Sequence, residues 1–174
     1  SPGGYLEQGY STPGGLLTLS AGARFDSHGL VAGAPISPHA SLLLRATGST
    51  RIHFAWSQAV QFPEIPALTL SLTGNRNLRP ARSTHLVAAL EQRVGDRTRL
   101  RLEVYERRDR QLIWQPLSEP RLSVAGAIIP AASDPRHENS LSGRSRGAEI
   151  FLQRRSANRW TGWISYAYGW TRMN

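Results

Sequence analysis

The segment Ser83-Thr84-His85-Leu86-Val87-Ala88-Ala89-Leu90-Glu91-Gln92-Arg93-Val94 runs into Gly95-Asp96 and then into Arg97-Thr98-Arg99-Leu100-Arg101-Leu102-Glu103-Val104-Tyr105-Glu106-Arg107-Arg108. In its second half Leu100, Leu102 and Val104 alternate with Arg99, Arg101, Glu103 and Tyr105. In its first half Leu86, Ala88 and Leu90 stand against Val87, Ala89 and Glu91, less cleanly. A period of two places one set of side chains on each face of a strand. Gly95-Asp96 supplies the tight turn that joins two antiparallel strands. Each half exceeds the usual strand of about five or six residues. Ten residues at ~3.3 Å each, tilted by ~40°, climb about 25 Å, the height of the lipid-facing band of a membrane barrel.

The same pattern recurs to either side. Leu17, Leu19, Ala21, Ala23 and Phe25 interleave with Thr18, Ser20, Gly22 and Arg24. Ile52, Phe54 and Trp56 interleave with Arg51, His53, Ala55 and Ser57, after a less regular strand at 38–46. Ala148, Ile150 and Leu152 interleave with Glu149, Phe151 and Gln153, and Trp160, Gly162, Ile164, Tyr166 and Tyr168 with Thr161, Trp163, Ser165 and Ala167. No segment carries a 3.6-residue period with caps, so no helix is assigned. Short connections at 47–50, 95–96 and 157–158 alternate with long ones at 26–37, 62–82 and 112–145, which hold most of the prolines. Loops beyond ~12–15 residues are uncommon in compact soluble domains, whereas short turns at one end and long loops at the other are the layout of a membrane barrel. The expected fold is therefore all-β: an antiparallel meander of about seven long strands, part of a large transmembrane β-barrel. Leu17, Ile52, Phe54, Leu100, Leu102, Ile150 and Leu152 should then share its convex side. Arg24, Arg51, His53, Arg99, Arg101, Glu103 and Glu149 should face the lumen, where ion pairs escape the lipid penalty. Arg107, Arg108 and Arg110 fall where their strand leaves the bilayer, and Arg154 sits on the apolar face beside a turn, where its stem can snorkel.

Composition narrows the chemistry. The 174 residues carry a formal charge of +9 and no cysteine, and all 21 basic residues are arginine. Thiolate metal sites, disulfides and thiol nucleophiles are excluded, as are a lysine-bearing phosphate loop and Schiff-base chemistry. Gly143-Arg144-Ser145-Arg146-Gly147 matches the G-x-S-x-G string, but a nucleophile elbow needs a strand before the serine and a helix after it; here a strand follows. The five histidines lack metal-ligand spacing, and no nucleic-acid-binding motif accompanies the dispersed arginines. The residues thus predict no enzyme, no cofactor, no metal and no nucleic-acid partner. Two other readings stay open on residues alone: a soluble β-sandwich or arginine-rich binding module, with nucleic acid as one candidate partner, and a hydrolase using Ser145.

Gly74-Asn75-Arg76-Asn77-Leu78-Arg79-Pro80, followed by Ser83-Thr84, resembles the G-N-x-N-L-x-P-E-x-S/T loop-to-strand motif of TonB-dependent outer-membrane receptors. In the family's order, Leu16 to Asp26 resembles an early barrel strand ending in G-x-R-Y/F-D. Ile36 to Ile65 resembles the S-P-R hairpin, and Thr98 to Trp114 the strand that ends D-L-I. Gly143 to Arg155 and Trp160 to Asn174 resemble the two strands beyond. Ala81 departs from the family's glutamate, so the ion pair which that glutamate makes is not expected. The resemblance spans residues 15–172 and implies an internal piece of a 22-stranded barrel in a Gram-negative outer membrane. The plug domain and closing strand would lie elsewhere, so residues 1–174 would be one partial barrel domain. It implies further that Gly74, Asn75, Asn77, Leu78 and Pro80 form the family's loop base. The implied partners are outer-membrane lipid, a small ligand held by the long loops (an iron chelate, cobalamin, a sugar or a peptide), the plug, and TonB.

Overall fold

The computed structural model describes residues 2–155 and 160–174. The turn expected at Ala157-Asn158 lies outside the described residues. The chain forms β1 (Gly3–Ser11), β2 (Leu17–Asp26), β3 (Ile36–Arg45), β4 (Thr50–Gln61), α1 (Ile65–Thr69), β5 (Ala81–Val94), β6 (Thr98–Trp114), β7 (Arg121–Leu122), β8 (Ile128–Ile129), β9 (Glu138–Arg154) and β10 (Gly162–Met173). Eight strands make one sheet in the order β1-β2-β3-β4-β5-β6-β9-β10, all antiparallel, and β7 pairs only with β8. This is an antiparallel meander. Among the described residues, β1 and β10 each pair on one side only.

Several elements differ from expectation, the short β7–β8 pair inside the last long loop among them. β1 is an added strand: Gly3, Gly4 and Gly9 leave it only Leu6, Gln8 and Tyr10 on one face, too weak an alternation to read. The last long loop is shorter than 112–145, because β6 runs on to Trp114 and β9 begins at Glu138. The start of β9, Glu138-Asn139-Ser140-Leu141-Ser142, has no apolar face, and its place is set by backbone pairing to β6 and by polar contacts. Finally, α1 sits in the 62–80 connection, with a proline in its first turn and Ala67 and Leu68 buried.

Register decides the architecture. Leu17, Leu44, Ile52, Leu90, Leu102, Ile150 and Tyr166 lie side by side across the large sheet, one on each of its strands except β1. The next row on the same face is Tyr10, Leu19, Leu42, Phe54, Ala88, Val104, Ala148 and Tyr168. Yet these side chains are open: Phe54 is 49% exposed, Val104 55%, Ile150 47% and Tyr166 64%. Besides Pro63, the buried apolar residues among those described are Val31, Ala67, Leu68, Leu78 and Ala89, and these, the last apart, belong to one small cluster under the loops. The accessible surface is 12633 Å², against roughly 8,400 Å² for a compact globule of this mass. A soluble sandwich converges its apolar residues between two sheets. This sheet turns them outward, so the sandwich reading is overturned.

The apolar band also slants across the rows. In the row Thr50, Gln92, Leu100, Leu152 and Ile164, the β4 and β5 positions are polar and the β6, β9 and β10 positions apolar. In the row Ala40, Trp56, Leu86, Glu106, Arg146 and Trp170, β3 to β5 are apolar while β6 and β9 are charged. The band therefore steps toward the turn end from β5 to β6. Strands that tilt in a closed barrel demand that stagger.

Candidate functional site

The face opposite the apolar band carries most of the ion pairs of the wall; the exceptions join Glu106 to Arg108 and Arg144 on the apolar face. Arg51, Glu91 and Arg101 are direct neighbours across β4, β5 and β6. Glu91 takes Arg51 Nη1 at 3.4 Å on one oxygen and Arg99 on the other. Arg101 pairs with Glu103, two residues along the same strand. His53, Ala89, Glu103 and Glu149 form one row, with Glu103 and Glu149 directly opposite each other. Like charges in that position repel, and Arg101 offsets the repulsion. Arg24 stands apart on β2, forked onto Asp26 at 2.7 and 2.9 Å. Arg24, Arg51, His53, Arg99, Arg101, Glu103 and Glu149 thus share one face, and the central strands gather all but Arg24. Near the turn end Arg51, Glu91, Arg93, Arg99 and Arg155 border an open hollow of about 290 Å³.

Two glycines on this face make room for rings. A Cβ at Gly147 would lie 2.5 Å from the Tyr105 ring, and one at Gly22 2.7 Å from the His39 ring. Each ring occupies the space that a side chain on the facing glycine would fill. Ser145, the serine of the G-x-S-x-G string, lies within β9 with its Oγ 3.0 Å from Thr171 Oγ1. It sits in mid-strand, not on a strand-to-helix turn.

The long connections 27–35, 62–80 and 115–137 gather at the other end. There the Gly74-to-Pro80 motif has a structural task. A Cβ on Gly74 would lie 2.5 Å from the Leu70 carbonyl oxygen, so only glycine lets the chain turn back on α1. Asn75 Oδ1 accepts the Asn77 N–H at 2.9 Å, an Asx turn, and Asn75 Nδ2 donates to the His137 carbonyl at 2.9 Å. Leu78, 4% exposed, plugs the small cluster with Val31, Ala67 and Leu68, backed by Phe62 and Ile113. Pro80 ends the loop where β5 begins at Ala81.

Residues that the sequence did not single out hold this loop. Asn139 Oδ1 accepts the Arg79 N–H at 2.7 Å, while its Nδ2 donates to the carbonyls of Arg79 at 2.9 Å and Gln111 at 2.8 Å. Gln111 has φ +58° at the irregularity where β6 and β9 lose step between Asp109 and Leu112. The His137 ring nitrogen Nδ1 lies 2.6 Å from the Thr73 carbonyl oxygen, which also takes the His137 N–H. An Asn in a polar stretch gives no local sign of such a role, because its partners lie 28 and 60 positions away.

An antiparallel meander with an exposed apolar face, a charged opposite face, short turns at one end and long loops at the other is the wall of a transmembrane β-barrel. The family model described as TonB dependent receptor-like, beta-barrel matches residues 3–174. The chain belongs to that family. No curated protein matches it in sequence. Among solved structures it resembles the siderophore receptor PirA from Pseudomonas aeruginosa, at TM-score 0.76 and 18% identity over 97% of this chain and 34% of that one. PirA from Acinetobacter baumannii matches at TM-score 0.74 and 16% identity, over 95% and 27%. The copper transporter OprC matches at TM-score 0.68 and 16% identity, over 98% and 29%. The chain spans about a quarter to a third of the length of these structures.

Proposed function

We propose that the chain is part of the barrel wall of an outer-membrane receptor of a Gram-negative bacterium, which takes up a scarce ligand with energy relayed by TonB. The family match across residues 3–174 carries this reading. The ligand classes are those named from the motif: iron chelate, cobalamin, sugar or peptide. The names of the structural neighbours, siderophore receptors and a copper transporter, favour a metal-linked cargo. In this reading the chain is one partial barrel domain. A plug domain, carried by the rest of the protein, fills the lumen and meets TonB. Arg24, Arg51, His53, Arg99, Arg101, Glu103 and Glu149 line the lumen, where their ion pairs stay hydrated and can face the plug. Gly74, Asn75, Asn77, Leu78 and Pro80 form a loop base, and ligand contacts come from the 27–35, 62–80 and 115–137 connections. The wall does no covalent chemistry.

The test is accumulation of labelled probes by cells carrying the complete receptor, in otherwise identical strains with and without TonB. The probes are a panel of ferric siderophores, cobalamin, oligosaccharides and short peptides. One probe should accumulate only where both receptor and TonB are present. Equal accumulation with and without TonB, or no probe above the receptor-less control, would overturn the reading.

A further inference from the structure

The charges on the apolar face itself are not explained by ligand uptake. Apart from Arg154 beside the turn, they lie on the loop-side part of the wall. Arg82 is directly opposite Arg110 across β5 and β6. Arg108, Arg144 and Arg172 are direct neighbours across β6, β9 and β10. Arg146 stands one row closer to the apolar band, beside Trp170. All are exposed except Arg144, which is half-buried. The one carboxylate on this part of the face is Glu106, which takes Arg108 Nε at 2.6 Å and Arg144 Nη2 at 2.7 Å. Among the described residues, Arg82, Arg110, Arg146 and Arg172 have no acidic partner within ion-pair distance.

Arginines placed directly opposite one another repel. Two such sets on adjoining rows need negative charge from outside the chain. Beside them is an open concavity of about 700 Å³, lined by Arg76, Arg79 and Arg82 over a floor that includes Val31 and Leu78, with no acidic residue in its lining. The motif loop thus supplies two more guanidinium groups next to the Arg82–Arg110 pair. Guanidinium forks match phosphate oxygens.

Position selects the source of the phosphate. Arg82 and Arg110 share a face with Leu86, Leu90, Leu102 and Val104, and Trp170 stands beside Arg146 at the charged edge of the apolar band. Aromatic rings at that level mark a membrane–water interface. An anion there that belongs to a lipid can lay its acyl chains on the apolar rows while its head group meets the arginines. Free phosphate gains nothing from that neighbourhood. We infer that Arg76, Arg79, Arg82, Arg108 and Arg110 form a docking site, on the outside of the wall, for the phosphate-bearing head group of a lipid in the loop-side leaflet. This rests on the barrel fold and not on the uptake reading, so either can fail alone.

The complete receptor, purified in detergent and shown folded by heat-modifiable gel migration, is titrated with bisphosphoryl lipid A and with the same glycolipid stripped of phosphate. Native mass spectrometry counts the lipid retained. Juxtamembrane basic residues each favour anionic lipid, and several acting together predict at least about a tenfold preference for the phosphorylated form. The double variant Arg82→Gln/Arg110→Gln should bring that preference close to parity, and millimolar inorganic phosphate should leave the lipid bound. Parity in the folded wild type, or full displacement by inorganic phosphate, overturns the inference. So does an undiminished preference in the folded double variant. Should the double variant fail the folding check, the single Arg110→Gln variant takes its place under the same criteria.

Discussion

Asn139 shows how much one side chain can hold. It makes three hydrogen bonds, two to Arg79 and one to Gln111, and so ties the motif loop to the β6 irregularity. Gln111 occupies a left-handed conformation that costs a non-glycine residue on the order of 1 kcal/mol or more, and the bond to its carbonyl helps to hold it there. Asn139→Ala leaves the Arg79 N–H and the two carbonyls without that partner, a loss of roughly 1–3 kcal/mol. Limited proteolysis of the complete receptor should then cut within residues 62–80 sooner than in wild type; an unchanged cleavage pattern would count against the clamp. A second residue-scale expectation concerns pH. Arg136 donates its side chain and its backbone N–H to Asp134, which holds that carboxyl down to about 2 from an ordinary 3.8. A depressed carboxylate stabilises its contact fully above the unfolded value and loses it as pH falls through the folded one. The Arg136 amide should therefore keep its hydrogen-exchange protection down to pH 4 and lose it only toward pH 2. Loss already at pH 4 would contradict the pairing.

At the level of strands, the two faces of β6 should respond oppositely to the same new charge. Leu102 stands in the apolar row between Leu90 and Ile150, and Glu103, the next residue, faces the other way. Leu102→Arg should cost about 2–4 kcal/mol, the penalty for arginine near the bilayer midplane. Glu103→Gln should cost well under 1 kcal/mol, since it relieves the repulsion with Glu149 while giving up an exposed ion pair with Arg101. Urea unfolding in lipid vesicles measures both, and equal costs would mean that the faces are misassigned. Strand faces were legible in the sequence wherever Leu, Ile and Phe alternated with Arg and Glu, as on β2, β4 and β6. Two other stretches were not legible, each for a physical reason. β1 and the start of β9 are placed by backbone pairing, which leaves no trace in side-chain hydrophobicity. The Gly74-to-Pro80 segment was recognisable as a motif, but its partners Asn139, Gln111 and His137 come from distant positions that only the meander brings together. The outer arginines were visible singly, as Arg108 and Arg110, but their grouping depends on a register that no single strand encodes.

For the molecule as a whole, the surface excess over a compact globule predicts behaviour in solution. Expressed alone without detergent, this sheet should aggregate through its open apolar face and the outer edges of β1 and β10. A soluble monomer by sedimentation, with no detergent present, would contradict the membrane assignment. The slant of the apolar band has a consequence for measuring depth. A line of hydrogen-bonded partners is a ramp through the membrane and not a contour of equal depth. Ala40 and Arg146 lie on the same line, yet one belongs among acyl chains and the other at head-group level. Depth probes such as brominated lipids will therefore sort residues by their height above the turns, and neighbours in the sheet will be quenched unequally. The opposite, charged face shares this register, so on the proposed lumen side its charged rows climb with the same pitch and would be met along a spiral rather than in rings.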